Sequence, residues 1–217
     1  IAQEPWSFGD KYEDINRRFI SLRYRLLPYL YTLFYRAHQS GLPLVRPLFM
    51  EFPGDDKALT VNDQFMVVDA LLVAPVLERG AEKRLIYLPR EGGKSISWKC
   101  WWEGKEYQSG YHMVDVPLDR MPLFIREDQG VPFTRTIQHT EENLEKLIIR
   151  SNLKNKVGVP IYDDDGKTDN FKDGKYFYGE YQVSKGEQEP QIPLKVENEG
   201  YDPFWDKVKL ELDWNEG

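Results

Sequence analysis

The chain has 217 residues, with 29 Lys and Arg against 36 Asp and Glu and a formal charge of −7. Hydrophobic residues make up 41% and aromatics 14%, which is enough apolar material for a packed core and excludes wholesale disorder. The acidic balance argues against a nucleic-acid partner, which needs clustered Lys and Arg, and the single Cys100 excludes an internal disulfide and any multi-Cys metal site. The longest uncharged apolar run, Leu26 to Tyr35, has ten residues. A membrane span needs about 20, so no membrane partner is expected. The chain opens on Ile1 and not on Met and reads there like the interior of a protein. A piece of a longer polypeptide is therefore expected. One Cys and no visible signal segment give a cytoplasmic location as the expectation.

Asp10 to Gly41 is predicted as one long helix. Its apolar positions Ile15, Phe19, Leu22, Leu26, Leu30, Leu33 and Ala37 recur every three or four residues, and Ile20, Tyr24, Leu27, Tyr31 and Phe34 form a second stripe. Two stripes predict burial on two sides. Asp10 is the expected N-cap, and Glu13 with Arg17 and Asp14 with Arg18 the expected ion pairs. Gly41 and Pro43 end the helix, and Pro28 cannot donate to the Tyr24 carbonyl, which predicts a kink. A short second helix is predicted near Val61 to Val68. It cannot cover both stripes, so further partners are expected in preceding sequence.

From about Asp55 to Arg135 the chain reads as strands: Leu71 to Leu77, Arg84 to Leu88, Ile96 to Trp102, Tyr111 to Val116 and Pro122 to Ile125. Turn residues such as Glu91-Gly92-Gly93 and Ser109-Gly110 separate them, a spacing that suggests a β-sandwich. A polar bridge, Gln138 to Asn143, leads to a second β module. Its expected strands are Leu144 to Ile149, Val157 to Tyr162, Lys175 to Val183, Gln191 to Val196 and Lys207 to Leu212.

Few residues carry a signal for chemistry. Asp163-Asp164-Asp165-Gly166 fails as a calcium loop: with Gly166 at position six, position one is Ile161, and with Gly174 there, position three is Phe171. The cluster reads as a hairpin turn. His38, His112 and His139 are scattered and read as structural or surface residues, and Cys100 reads as a core or edge thiol. Nucleophile elbows, dinucleotide-binding glycine patterns and phosphate loops are absent from the sequence. Trp98, Trp101, Trp102 and Tyr107 are a candidate sugar-stacking platform. The competing expectation is that Trp98 and Trp102 share a strand face and pack into the core.

An ordered series of motifs resembles one family. Gln3-Glu4-Pro5-Trp6 is followed by Leu22-Arg23-Tyr24-Arg25-Leu26-Leu27-Pro28-Tyr29-Leu30-Tyr31, then by Leu44-Val45-Arg46-Pro47-Leu48-Phe49. Asp63-Gln64-Phe65-Met66, Leu71-Leu72-Val73-Ala74-Pro75-Val76, Tyr87-Leu88-Pro89 and Pro122-Leu123-Phe124-Ile125-Arg126 come next, and Tyr162-Asp163-Asp164-Asp165-Gly166 last. The series is similar to the C-terminal part of glycoside hydrolase family 31, the α-glucosidase family.

The resemblance implies a mostly β fold with an N-terminal long helix: the end of a (β/α)8 barrel followed by two antiparallel β-sandwich modules. Residues 1–54 would be the last helix and exit of the catalytic barrel, 55–135 a proximal sandwich and 136–217 a distal one. It implies retaining hydrolysis of terminal α-linked glucose by an Asp pair. In this family that pair, and the substrate-contacting Arg and His, precede Gln3. No catalytic, cofactor or metal residue is therefore assigned here, and the α-linked oligosaccharide partner belongs to the barrel. The competing expectations are non-catalytic carbohydrate-binding modules and structural modules that mediate oligomers. Two stretches depart from the family pattern: Val68 stands where Gly is usual, and Glu127-Asp128-Gln129-Gly130-Val131-Pro132 stands where small and Gly residues are usual.

Overall fold

A computed structural model describes residues 4–139, 144–186 and 189–214. Part of the predicted bridge, residues 140–143, lies outside the described residues, as does Gln3.

The predicted long helix is two helices, α1 (Asp10–Arg25) and α2 (Leu27–Ser40), that meet at Leu26. The break falls where Pro28 removes a donor, as the sequence predicts. Gly9, with φ 91°, is the cap and Asp10 the first helical residue, so the cap lies one position earlier than expected. Glu13 pairs with Arg17 at 2.5 Å, and Arg18 reaches Asp119 at 2.9 Å. Gly41 closes α2 in the left-handed conformation. The first apolar stripe packs inward through Leu22 and Leu33, whereas Ile20 and Phe34 of the second are 49% and 61% exposed.

The rest of the chain is mostly strand. Strands β1 (Val45–Pro47), β2 (Phe65–Val67), β3 (Leu71–Val73), β5 (Ser97–Cys100), β6 (Glu106–Gln108) and β8 (Leu123–Arg126) form a six-stranded antiparallel sheet in the order β1-β2-β3-β8-β5-β6. A short helix, α3 (Leu48–Glu51), follows β1, and β4 (Lys83–Leu88) pairs with β7 (Gly110–Asp115). Both sheets feed one core, which includes Trp98, Phe124, Met66 and Leu88. The short helix expected at Val61 to Val68 is instead strand β2. Its residues Phe65, Met66 and Val67 pair on both sides, and pairing outweighs a local apolar run.

A second core gathers Leu147, Ile149, Val159, Ile161 and Val183. The remaining strands are β9 (Gly130–Phe133), whose Val131 and Phe133 belong to the first core, β10 (Lys146–Ser151), β11 (Lys156–Asp163), β12 (Phe177–Ser184), β13 (Leu194–Glu199) and β14 (Lys207–Glu211). They form two three-stranded sheets, β14-β10-β9 and β11-β12-β13. One pairing departs from the antiparallel expectation: β14 runs parallel to β10, Val208 opposite Leu147. Among the described residues no helix is long and apolar enough to cross a membrane.

The motifs of the series do structural work. Gln64 donates to the Tyr87 carbonyl and accepts from its N–H, both at 2.7 Å, as a strand would. The Tyr87 hydroxyl donates to buried Asp55, which also accepts from the Arg90 N–H. Arg46 binds Glu51 at 2.5 Å, and Arg126 binds Glu91 while lying 4.8 Å over the Phe52 ring. The two departures from the family pattern are Val68, φ 53°, and a stretch containing Asp128, φ 49°, the only non-Gly residues with positive φ among those described. Glycine suits that backbone without strain. Asp128 offsets its cost through its carboxylate, which accepts from the N–H groups of Lys154 and Asn155 at 2.7 and 2.8 Å.

Candidate functional site

The acidic hairpin is where the sequence draws attention first. Strands β11 and β12 pair along their whole lengths, and a 3-10 turn, Asp169–Asp173, lies in the loop between them. The hairpin expectation holds with a loop longer than a two-residue turn. Each acid is committed. Asp163 Oδ2 accepts from the Phe204 N–H at 3.0 Å. Asp164 accepts from the hydroxyls of Tyr31 and Tyr162, each at 2.5 Å. Asp165 accepts from the Lys167 and Thr168 N–H groups and the Thr168 hydroxyl, and those bonds, the hydroxyl foremost, lower its carboxyl to about 2. Burial pushes the Asp163 carboxyl up to about 7, against two backbone N–H groups that favour its charge.

These acids and their tyrosines dock the second unit on α2. Tyr35 stacks on Tyr162 with centroids 4.4 Å apart and planes at 16°. Thr32 accepts from the Tyr162 N–H at 2.9 Å and donates to the Pro28 carbonyl. Among the described residues no group of three or more His, Cys, Asp or Glu is placed to hold a metal ion.

The aromatic platform is not presented to solvent. Trp98 and Trp101 are fully buried and Trp102 is 3% exposed. The strand stops at Cys100, and residues 101–103 turn, so Trp98 and Trp102 do not share a strand face. The Trp98 and Trp102 indole N–H groups are spent on the Pro89 and Met121 carbonyls. Tyr107 packs edge-on against Phe124. Cys100 is a buried strand thiol whose pKa burial raises. His38 lies in the last turn of α2, His112 in β7 with its ring nitrogen 2.7 Å from the Gln108 carbonyl, and His139 on the surface.

One open cleft of about 330 Å³ lies between α2 and strands β9, β11 and β12. Tyr29 and Arg36 line it from α2, with Asp69, Asp128, Lys156 and Glu180. Arg36 is paired with Asp69 at 2.9 Å, and Asp128 is engaged by the turn at Lys154. The Tyr29 hydroxyl donates to the Val67 carbonyl. Among the described residues Glu180 is held by the Gln182 amide alone. Nothing in the sequence reading found this cleft, because its residues come from five separate segments. The signal available was a Gly inside each of two strands, Gly130 and Gly158, which marks close approach of neighbouring groups. A Cβ at Gly158 would lie 2.2 Å from a Glu180 carboxylate oxygen.

Comparison with known proteins gives a consistent assignment. The family described as "Glycosyl hydrolase family 31 C-terminal domain" matches residues 41–129, and "Glycosyl hydrolases family 31 TIM-barrel domain" matches residues 1–33. The chain is 34% identical to "Alpha-glucosidase 2" of Bacillus thermoamyloliquefaciens over 99% of its own length and 28% of that protein. It is 31% identical to an "Alpha-xylosidase" of Saccharolobus solfataricus, covering 82% of this chain and 24% of the relative. Among solved structures, a dextranase of Flavobacterium johnsoniae complexed with glucose superposes with a TM-score of 0.83 at 32% identity, over 93% of this chain and 25% of that one. The chain thus spans about a quarter of the length of the relatives it matches. With its motif series, mostly β architecture and both family matches in agreement, the chain belongs to glycoside hydrolase family 31, as a C-terminal portion.

Proposed function

We propose that this chain is the scaffold of a retaining α-glucosidase that releases terminal α-linked glucose from oligosaccharides. Residues 1–54 are then the last helix and exit of the catalytic barrel, 55–135 a proximal β-sandwich and 136–217 a distal one. The observation that carries the reading is the match to an α-glucosidase along 99% of the chain. Two further observations support it. The barrel-domain match at residues 1–33 covers the helix whose Ile20 is left exposed, and a neighbouring barrel element would bury that stripe. Strand β9 pairs with β10 across the proposed 135/136 boundary, which would tie the two modules through one sheet.

The reaction needs two carboxyl groups about 5–5.5 Å apart, one attacking the anomeric carbon and the other acting as acid and then base. In this reading both belong to the barrel, upstream of these residues. In the cleft, Asp69 pairs with Arg36 and Asp128 accepts from backbone N–H groups. The purified 217-residue chain is expected to release no nitrophenol from 4-nitrophenyl α-glucoside. Steady release that Glu180→Gln abolishes would overturn the reading.

A further inference from the structure

The cleft beside α2 has a lining that the scaffold role does not use. Three of its polar side chains lack partners among the described residues. Among the described residues the half-buried Tyr178 hydroxyl and Gln129 amide make no hydrogen bond, and the exposed Lys156 ammonium makes neither a hydrogen bond nor an ion pair. Glu180 adds a carboxylate whose one partner is a neighbouring amide. The Tyr178 ring is fixed by Tyr35, 4.8 Å away between centroids. Gly158 lines the cleft without a side chain, and a Cβ there would meet Glu180.

The chemistry of the lining selects a ligand class. An anion would meet Asp69, Asp128 and Glu180, and the guanidinium of Arg36 is already neutralised by Asp69. A metal cation would find one carboxylate, Glu180, not already engaged by a cation or by backbone donors. Unspent donors and an unspent acceptor of both signs, beside an ordered aromatic ring, suit a neutral molecule bearing many hydroxyl groups. The volume, about 330 Å³, lies at the lower end of the range of about 300–1,000 Å³ for small-molecule sites. That is room for one or two sugar rings.

We propose that this cleft binds a neutral sugar unit of an α-linked oligosaccharide. Tyr178 and Gln129 would hydrogen-bond its hydroxyls, and Lys156 and Glu180 would bracket it. The choice of sugar over another polyol rests on the α-glucosidase reading. Binding in the cleft and turnover of a glucoside are separate readouts, so failure of one is not failure of the other.

Maltose titrated into the nitrogen-15-labelled chain tests this. Saturable shifts are expected at the amides of Gly130, Gly158 and Tyr178, with a Kd on the order of 1–10 mM. Gly158→Ala fills the floor and displaces the flexible end of Glu180, and Tyr178→Phe removes one hydroxyl while keeping the ring. Each should weaken binding about tenfold and leave amide positions away from the cleft unmoved. Three results would overturn the proposal: no saturable shift at any of these amides, saturation that neither variant weakens, or inorganic phosphate saturating the same amides more tightly than maltose.

Discussion

Replacing Asp163 with Asn is expected to stabilise the protein by about 2 kcal/mol near pH 8 and by almost nothing near pH 4. The folded protein raises this carboxyl to about 7, chiefly through burial. An acid with a raised folded-state pKa favours folding in its neutral form. The penalty for its charge is absent below the unfolded value, grows as pH rises through the window from about 4 to about 7, and is complete above it. Beyond the Phe204 and Asp164 N–H groups, the groups facing it do not relieve that charge: Asp164 is a like charge, and Tyr31 and Tyr201 are phenols whose own pKa values are raised, burial first. Full conversion of the shift would give about 4 kcal/mol, and the half-buried position reduces this to about 2. Asn keeps an oxygen for the Phe204 N–H. Urea unfolding of both proteins across this pH range would measure the difference, and a gap that does not change with pH would contradict the argument.

Arg150→Ala is expected to cost about 3–5 kcal/mol of stability, among the largest effects of any single substitution in this chain. The Arg150 guanidinium is nearly inaccessible and binds Glu211 at 3.0 Å and the Trp101 carbonyl at 3.2 Å. It also lies 4.4 Å from the Trp101 centroid, 4.8 Å from Trp214 and 5.0 Å from Phe133. One side chain thus joins the first core to the returning strand β14. Burial alone would raise the Glu211 carboxyl, yet Lys209 and Arg150 hold it below the usual range. Removing Arg150 strips that partner and empties a space between three rings. Arg150→Lys should recover less than half of the loss, because an ammonium neither stacks flat nor presents a fork of donors. A loss under about 1 kcal/mol in the Ala variant, read from urea midpoints, would show the cluster to be dispensable.

Local rules made part of this fold legible. The helix break follows from Pro28, the stop at Gly41 from its freedom at positive φ, and most strands from runs of β-branched and aromatic residues between turn residues. What escaped was set by pairing and not by pattern. Strand β1 is three residues long and polar at Arg46, β9 contains Pro132, and Phe65 to Val67 looked helical until two neighbours paired with it. The two departures from the family pattern were legible as positions, and the backbone explains them: Val68 and Asp128 take the left-handed conformation that glycine favours. The cleft was not legible at all. Residues as far apart as Arg36 and Glu180 meet only because Tyr31 and Tyr35 seat the β11–β12 hairpin on α2.

Trapping the covalent intermediate tests the central claim most directly. The intact protein that contains this chain would be inactivated with a fluorinated α-glucosyl fluoride, digested, and the glucosylated carboxylate located by mass spectrometry. The account predicts that every peptide from these 217 residues stays unlabelled and that the ester sits on an Asp of the barrel. A glucosyl ester on Glu180, or on any other acid of this chain, would contradict it.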